Sequence, residues 1–176
     1  MKVLAIPATN SRNGVNSQVI GYAAKILQET DGVDVELLDL NDYEMPIYST
    51  EREEAGIPQL AHEFLSAIAA ADALLISFAE YNGSYTPAWK NTFDWASRAG
   101  AGVYQGKPVV MLSASPGPRG GAGVLGAATI SAPHLGAELR GSLSISSFYE
   151  TFDSGTGTLR DADLDVELRE VLRSLV

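Results

Sequence analysis

The 176-residue sequence predicts an α/β fold: a doubly wound, five-stranded parallel sheet in the order 2-1-3-4-5, with helices on both faces. Three observations predict it. Short apolar runs of strand length alternate with longer stretches of helical periodicity. The most regular of those runs have almost no polar position, as strands buried on both faces require. The segments between them are long enough for the right-handed crossovers that parallel neighbours need. No repeat, low-complexity tract or linker interrupts the pattern, so residues 1–176 are expected to form one domain. That length suits the five-strand order better than the larger dinucleotide-binding form.

Lys2 to Pro7 (KVLAIP) is the first strand. A polar, turn-forming stretch from Thr9 to Asn16 follows, and then Val19, Ile20, Ala23, Ala24, Ile26 and Leu27 recur at helical spacing. Val33 to Leu40 alternates at first and is expected to be the second strand. Asn41 to Pro58, with two prolines and the run Glu51-Arg52-Glu53-Glu54, is expected to be a solvated loop. Gln59 to Ala71 predicts an amphipathic helix, Ala73 to Phe78 the third strand, and Thr86 to Ala99 the next helix. Val109 to Leu112, after the Gly106-Lys107-Pro108 turn, is the fourth strand. Gly121 to Leu135 is helical despite the cost of its glycines, Leu139 to Ile145 is the fifth strand, and Asp161 to Val176 closes the chain as a helix.

Composition narrows the function. The formal net charge of -10 and four scattered lysines (Lys2, Lys25, Lys90, Lys107) argue against nucleic acid, which needs clustered cations. No apolar run reaches the roughly 20 residues of a spanning helix, and the start has no secretory-signal pattern. The expectation is a cytoplasmic protein without a membrane partner. The absence of cysteine excludes disulfides, thiolate metal sites and thiol nucleophiles together.

In a doubly wound sheet, ligands sit beyond the carboxyl ends of the strands where strand order reverses. Three loops of unusual composition fall there. The first, Ala8 to Ser17, offers three hydroxyls, three amides and Arg12, and it leads into a helix start. Such donors suit a phosphomonoester, although Ser, Thr and Asn also serve as ordinary helix caps. The loop matches neither the G-x-G-x-x-G nor the Walker pattern. The second, Ala79-Glu80-Tyr81-Asn82-Gly83-Ser84, pairs a turn signal with an aromatic at the sheet edge, which suits a planar heterocycle as well as a plain tight turn. The third, Ser113 to Gly123, is rich in glycine and lets backbone approach a ligand closely.

The segments TNSRNGVN, EYNGSYTPAWKNTFDW and SPGPRGG together resemble the NADPH-dependent FMN reductase family of flavodoxin-like proteins, over a region from the first strand to about Leu139. The chain departs from the family pattern at Ala8 and Thr9, where Gly-Ser is usual, at Gly14, where serine is common, and at Ala79, where proline is usual. The resemblance implies bound FMN, with NADPH or NADH as donor and a small-molecule electron acceptor. It implies that Thr9, Ser11, Arg12, Asn16 and Ser17 hold the phosphate. Glu80, Tyr81, Asn82 and Gly83 would lie along the flavin ring, largely through backbone. Ser115, Pro116, Gly117 and Gly121 would form the opposite side, and Arg119 would reach either the flavin or a nicotinamide phosphate. It also implies a homodimer or homotetramer, with the Tyr85 to Trp95 helix near the interface.

With FMN bound, the cofactor supplies the redox chemistry, and no dedicated protein acid, base or metal is expected. His62 and His134 have no partner motif, and Asp31, Asp34, Asp39 and Asp42 read as solvated carboxylates. Two other readings remain: a flavodoxin-type electron carrier without its own NAD(P)H turnover, and a flavin-free protein that binds another phosphate metabolite in the same cleft.

Overall fold

A computed structural model describes residues 1–176. Five strands form the sheet: β1 (Lys2–Ala8), β2 (Asp34–Leu37), β3 (Ala73–Phe78), β4 (Pro108–Ala114) and β5 (Glu138–Ile145). All neighbours pair in parallel, and the order is β2-β1-β3-β4-β5, as the sequence predicts. The main helices are α1 (Val15–Gln28), α3 (Gln59–Ala69), α4 (Pro87–Ala99), α5 (Ala122–Ser131) and α7 (Ala162–Arg173).

The two-residue period of the strands sorts their side chains into two cores. Leu4, Ile6, Leu74, Ile76, Phe78 and Met111 face one layer and pack against Phe64 of α3, Trp89 of α4 and Leu125 of α5. Val3, Ala5, Leu75, Val110 and Leu112 face the other, against Val19 and Ile20 of α1 and Leu168 and Leu172 of α7. Burial of a large apolar side chain contributes about 1.5–3 kcal/mol, so these two layers dominate the stability of the fold.

Several boundaries differ from expectation for local reasons. The second strand stops at Leu37, because Asp39 accepts the Asn41 N–H and caps a 3-10 turn over Leu40–Tyr43. The expected loop from Asn41 to Pro58 contains a short helix, α2 (Thr50–Ala55), whose cap Ser49 accepts the Arg52 N–H. Met45, Ala61 and Trp95 make a third, small core beneath this segment, and Trp95 Nε1–H donates to Pro46 O at 2.7 Å. The helix expected to run to Leu135 ends at Ser131 and tightens into a 3-10 turn around Pro133, which has no N–H to continue the ladder. After β5 come three elements the sequence reading did not anticipate: α6 (Phe148–Thr151) and the antiparallel strands β6 (Phe152–Asp153) and β7 (Thr158–Leu159). Phe152 packs into the α1–α7 core, stacked on Phe148. No helix is long and apolar enough to cross a membrane.

Candidate functional site

The loops after β1, β3 and β4 meet beyond the carboxyl edge of the sheet, at the point where its order reverses. A cleft of about 140 Å³ lies between them and is lined by all three, including Thr9, Ser11, Asn16, Glu80, Tyr81, Ser115 and Pro116. Arg12 and Ser17 line an adjoining cleft of about 200 Å³, which shares Thr9 and is closed by Asp39. Asn82, Gly83, Gly117, Arg119 and Gly121 belong to the same loops but line neither cleft. The largest cleft, about 430 Å³ between α4 and α5, contains none of the expected site residues.

The first loop closes on itself. The Ser11 N–H donates to Thr9 Oγ1 at 3.2 Å, while Ser11 O accepts both the Gly14 N–H at 3.0 Å and the Ser17 hydroxyl at 2.7 Å. Gly14 keeps this turn tight, since a methyl there would lie 3.1 Å from Ser11 O and Cβ. Gly14 is also the N-cap of α1 and supplies no side-chain acceptor. The first-turn N–H groups of a 14-residue helix therefore point into the loop without a cap.

Arg12 and Asn16 are placed in unlike ways. The exposed Arg12 donates through Nε to Asp39 Oδ2 at 2.8 Å, with its terminal nitrogens in no further ion pair. Burial alone would push the Asp39 carboxyl up, but Arg12 and the backbone and side-chain donors of Asn41 hold it below the usual carboxylate range. Asn41 also donates to Asn10 O at 3.1 Å, so the 3-10 turn after β2 braces the first loop. Asn16 is buried and turned inward: its Oδ1 accepts the Ser77 hydroxyl and the Ala114 N–H, and its Nδ2 donates to Ala114 O. Its side chain connects strands, and the Ser17 hydroxyl is likewise spent on Ser11 O, whereas Thr9 and Ser11 line the first cleft and Arg12 the adjoining one.

In the second loop, Tyr81 and Ser84 exchange backbone hydrogen bonds at 2.9 and 3.1 Å. The two residues between them both have positive φ, 53° at Asn82 and 79° at Gly83. This is the tight turn that Asn-Gly favours. The half-exposed Tyr81 hydroxyl lies 3.3 Å from Ser11 Oγ and bridges the first two loops.

The third loop is held from beneath by serines. Ser113 Oγ–H donates to Gly120 O at 2.8 Å, and Ser144 Oγ–H reaches the same oxygen at 3.0 Å. Gly120 has φ 58°, and a methyl there would come within 2.5 Å of Ser144 Oγ and 2.8 Å of the Ile145 backbone. A fourth segment joins in: the Ser147 N–H donates to Gly117 O and the Phe148 N–H to Ser115 O, with Ser147 itself at φ 47°. Sequence reasoning missed Asp39, Ser77, Ser144 and Ser147. The one available signal was helical phase, since Asn16, Val19, Ile20 and Ala23 fall on one stripe, which also turns Asn16 toward the strands.

Titratable alternatives are few. His62 and His134 are both exposed, and no group of three or more His, Cys, Asp or Glu residues is placed to hold a metal ion.

The sequence profile of the NADPH-dependent FMN reductase family matches residues 1–149. The chain belongs to that family. Within the NADPH-dependent FMN reductases, it is 35% identical over 117 residues to an NAD(P)H-dependent FMN reductase from Pseudomonas aeruginosa, covering 66% of this chain and 61% of that one. It is 33% identical over 118 residues to a 2-hydroxy-1,4-benzoquinone reductase from a Burkholderia species, covering 66% of this chain and 62% of that one. The chain thus spans about three fifths of the length of these curated relatives. Among solved structures it is similar to FerB, a flavoenzyme NAD(P)H:(acceptor) oxidoreductase from Paracoccus denitrificans, with a TM-score of 0.80, 23% identity, and coverage of 99% and 94% of the two chains. That likeness shows the flavodoxin-like fold.

Proposed function

We propose that this chain is an FMN-dependent NAD(P)H oxidoreductase that passes electrons from a nicotinamide nucleotide to a quinone, flavin or similar small acceptor. The observation that carries this reading is the convergence of an uncapped α1 start with two backbone-lined loops at one cleft. A phosphate-bearing flat ligand needs both. Thr9, Ser11, the first-turn N–H groups and the free nitrogens of Arg12 would hold the phosphate. The turn from Tyr81 to Ser84 and the Ser115–Gly117 backbone would flank the ring. Asn16 and Ser17 would act by shaping the cradle, with their N–H groups and not their side chains as donors. FMN held there would supply the redox chemistry between a nicotinamide donor and the acceptor. The protein's part is to hold the cofactor, offer N–H donors to it and leave one face open.

The reductase reading is favoured over a flavodoxin-type carrier by the names of the relatives matched in sequence, which are reductases. An anaerobic absorbance titration of the FMN-loaded protein with NADPH and then NADH tests it. Rapid loss of the flavin band is the expected result, and the order of rates ranks the donors. Bound flavin that neither nucleotide reduces would favour the carrier, and absence of FMN binding would favour another phosphate metabolite.

Residues 1–176 act as one domain in this reading, since α7 covers the same sheet face as α1. The protein works as a homodimer or homotetramer. The aromatic cleft between α4 and α5, lined by Tyr85, Trp89, Phe93 and Tyr104, supports that assembly. A cysteine-free chain using a nicotinamide donor fits the cytoplasm.

A further inference from the structure

The carboxylate of Glu80 leaves its own loop. Glu80 stands at the end of β3, half-buried, and its Oε2 accepts the backbone N–H of Val124 at 2.8 Å. Val124 is the third residue of α5, so the bond satisfies one of the orphan donors of that helix start. The N-cap of α5 cannot do this itself, because Gly121 has no side chain and adopts φ 79°. At α4 and α7 the caps Thr86 and Asp161 do the same task locally. At α5 it falls to a residue 44 positions earlier, on the facing loop. The space is made for it: a methyl on Gly123 would sit 2.7 Å from Glu80 Oε2 and 3.4 Å from Gly83 O. None of the protein's ion pairs involves Glu80, so its charge is answered by the helix start rather than by an arginine or lysine.

We propose that Glu80 is a positioning residue that locks the second loop onto the start of α5, and that its charge lowers the electron affinity of a flavin held along these loops. The second half rests on the FMN reading above. A helix start carries about half a positive charge and favours negative charge placed near it. A flavin ring gains electrons on reduction, so an unopposed α5 start beside it would make reduction easier and the onward transfer weaker. A carboxylate seated in the first turn offsets that field. It keeps the reduced cofactor a strong donor, which suits a protein that hands electrons to small acceptors.

Two substitutions separate geometry from charge. Glu80→Gln keeps a carbonyl acceptor for Val124 and removes the charge, whereas Glu80→Ala removes both. Three readouts are needed: hydrogen exchange of the Val124 amide in the FMN-free protein, FMN affinity by fluorescence titration, and the midpoint potential of the loaded protein against reference dyes. In Glu80→Ala, Val124 exchange should rise about tenfold and FMN affinity should fall by about the same factor, as loss of one charge-assisted hydrogen bond implies. In Glu80→Gln, which keeps a neutral acceptor, both should change by only about threefold while the midpoint potential moves positive. Unchanged Val124 exchange in Glu80→Ala would overturn the positioning role. A Glu80→Gln potential equal to wild type would overturn the charge role. Wild-type protein that takes up no FMN would overturn the flavin reading, and the charge role with it, while the exchange result would still decide the cap.

Discussion

The Ser77 hydroxyl on β3 donates to Asn16 Oδ1 at the start of α1 across 2.8 Å, with both residues buried. The same amide bonds the Ala114 N–H and O on β4, each at 2.9 Å. One side chain thus ties the first helix to β3 and β4 under the cleft. Asn16→Ala would leave three buried polar groups without partners, a loss of about 2–5 kcal/mol. Urea denaturation of the FMN-free protein should show it. A residue that only touched the cofactor phosphate would leave that curve in place.

Arg12 gives the opposite pattern. Its side chain is 67% exposed and its pair with Asp39 is a solvent-screened surface one that adds little to stability. Arg12→Ala should leave denaturation of the FMN-free protein nearly unmoved. It should weaken FMN binding about 10–100-fold, the range of one charged hydrogen-bond contact. Equal FMN dissociation constants for variant and wild type would take Arg12 out of the phosphate site.

Gly120 and Gly83 both have positive φ, but only Gly120 is crowded. Alanine at Gly83 meets open space and bears the backbone strain of about 1–2 kcal/mol alone. Alanine at Gly120 must also displace Ser144 and the β5 backbone. Thermal melts should place Gly120→Ala well below Gly83→Ala, and the third loop should lose its grip on FMN only in the former.

Acid sensitivity should arise on the far side of the sheet. Asp165 accepts the Tyr22 hydroxyl at 2.6 Å and Arg169 Nε–H at 2.9 Å. Burial alone would raise its carboxyl, but these two donors hold it below the usual carboxylate range. A carboxyl depressed in this way stabilises the fold above its unfolded pKa of about 3.9, and the contribution is lost as pH falls through the lower folded value. The melting temperature should therefore be level between about pH 7 and 5 and drop below about pH 4. Asp165→Asn should melt lower at neutral pH and show a shallower acid drop. Parallel slopes for the two proteins would exclude Asp165 as a source.

Much of this architecture can be read from residue order. The run Ala73–Phe78 is apolar enough to be a central strand, and the strand period alone assigns its side chains to two cores. The loops that meet at the switch point stand out by composition. The hydrogen-bond direction of a polar side chain within those loops is not readable in that way. Asn16 and Ser17 have the residue types of a phosphate cradle, yet their side chains bond Ala114, Ser77 and Ser11, because the helix begins one residue before Asn16 and turns it inward. Asp39 looks like one more surface carboxylate until β2 ends and sets it beside Arg12. The Glu51–Glu54 run, expected as solvated loop from its charge, becomes helical through the Ser49 cap.

The walls of the cleft are already bonded to one another: Ser11 to Tyr81, Glu80 to Val124, Ser144 to Gly120, Phe148 to Ser115. A loop that waits for its ligand before taking shape loses freedom at the moment of binding, and part of the contact energy goes into that ordering. Here folding has done the ordering in advance. Encounter between cofactor and protein then has little rearrangement to wait for, and differences in affinity among variants of these loops should be carried by how fast the cofactor leaves.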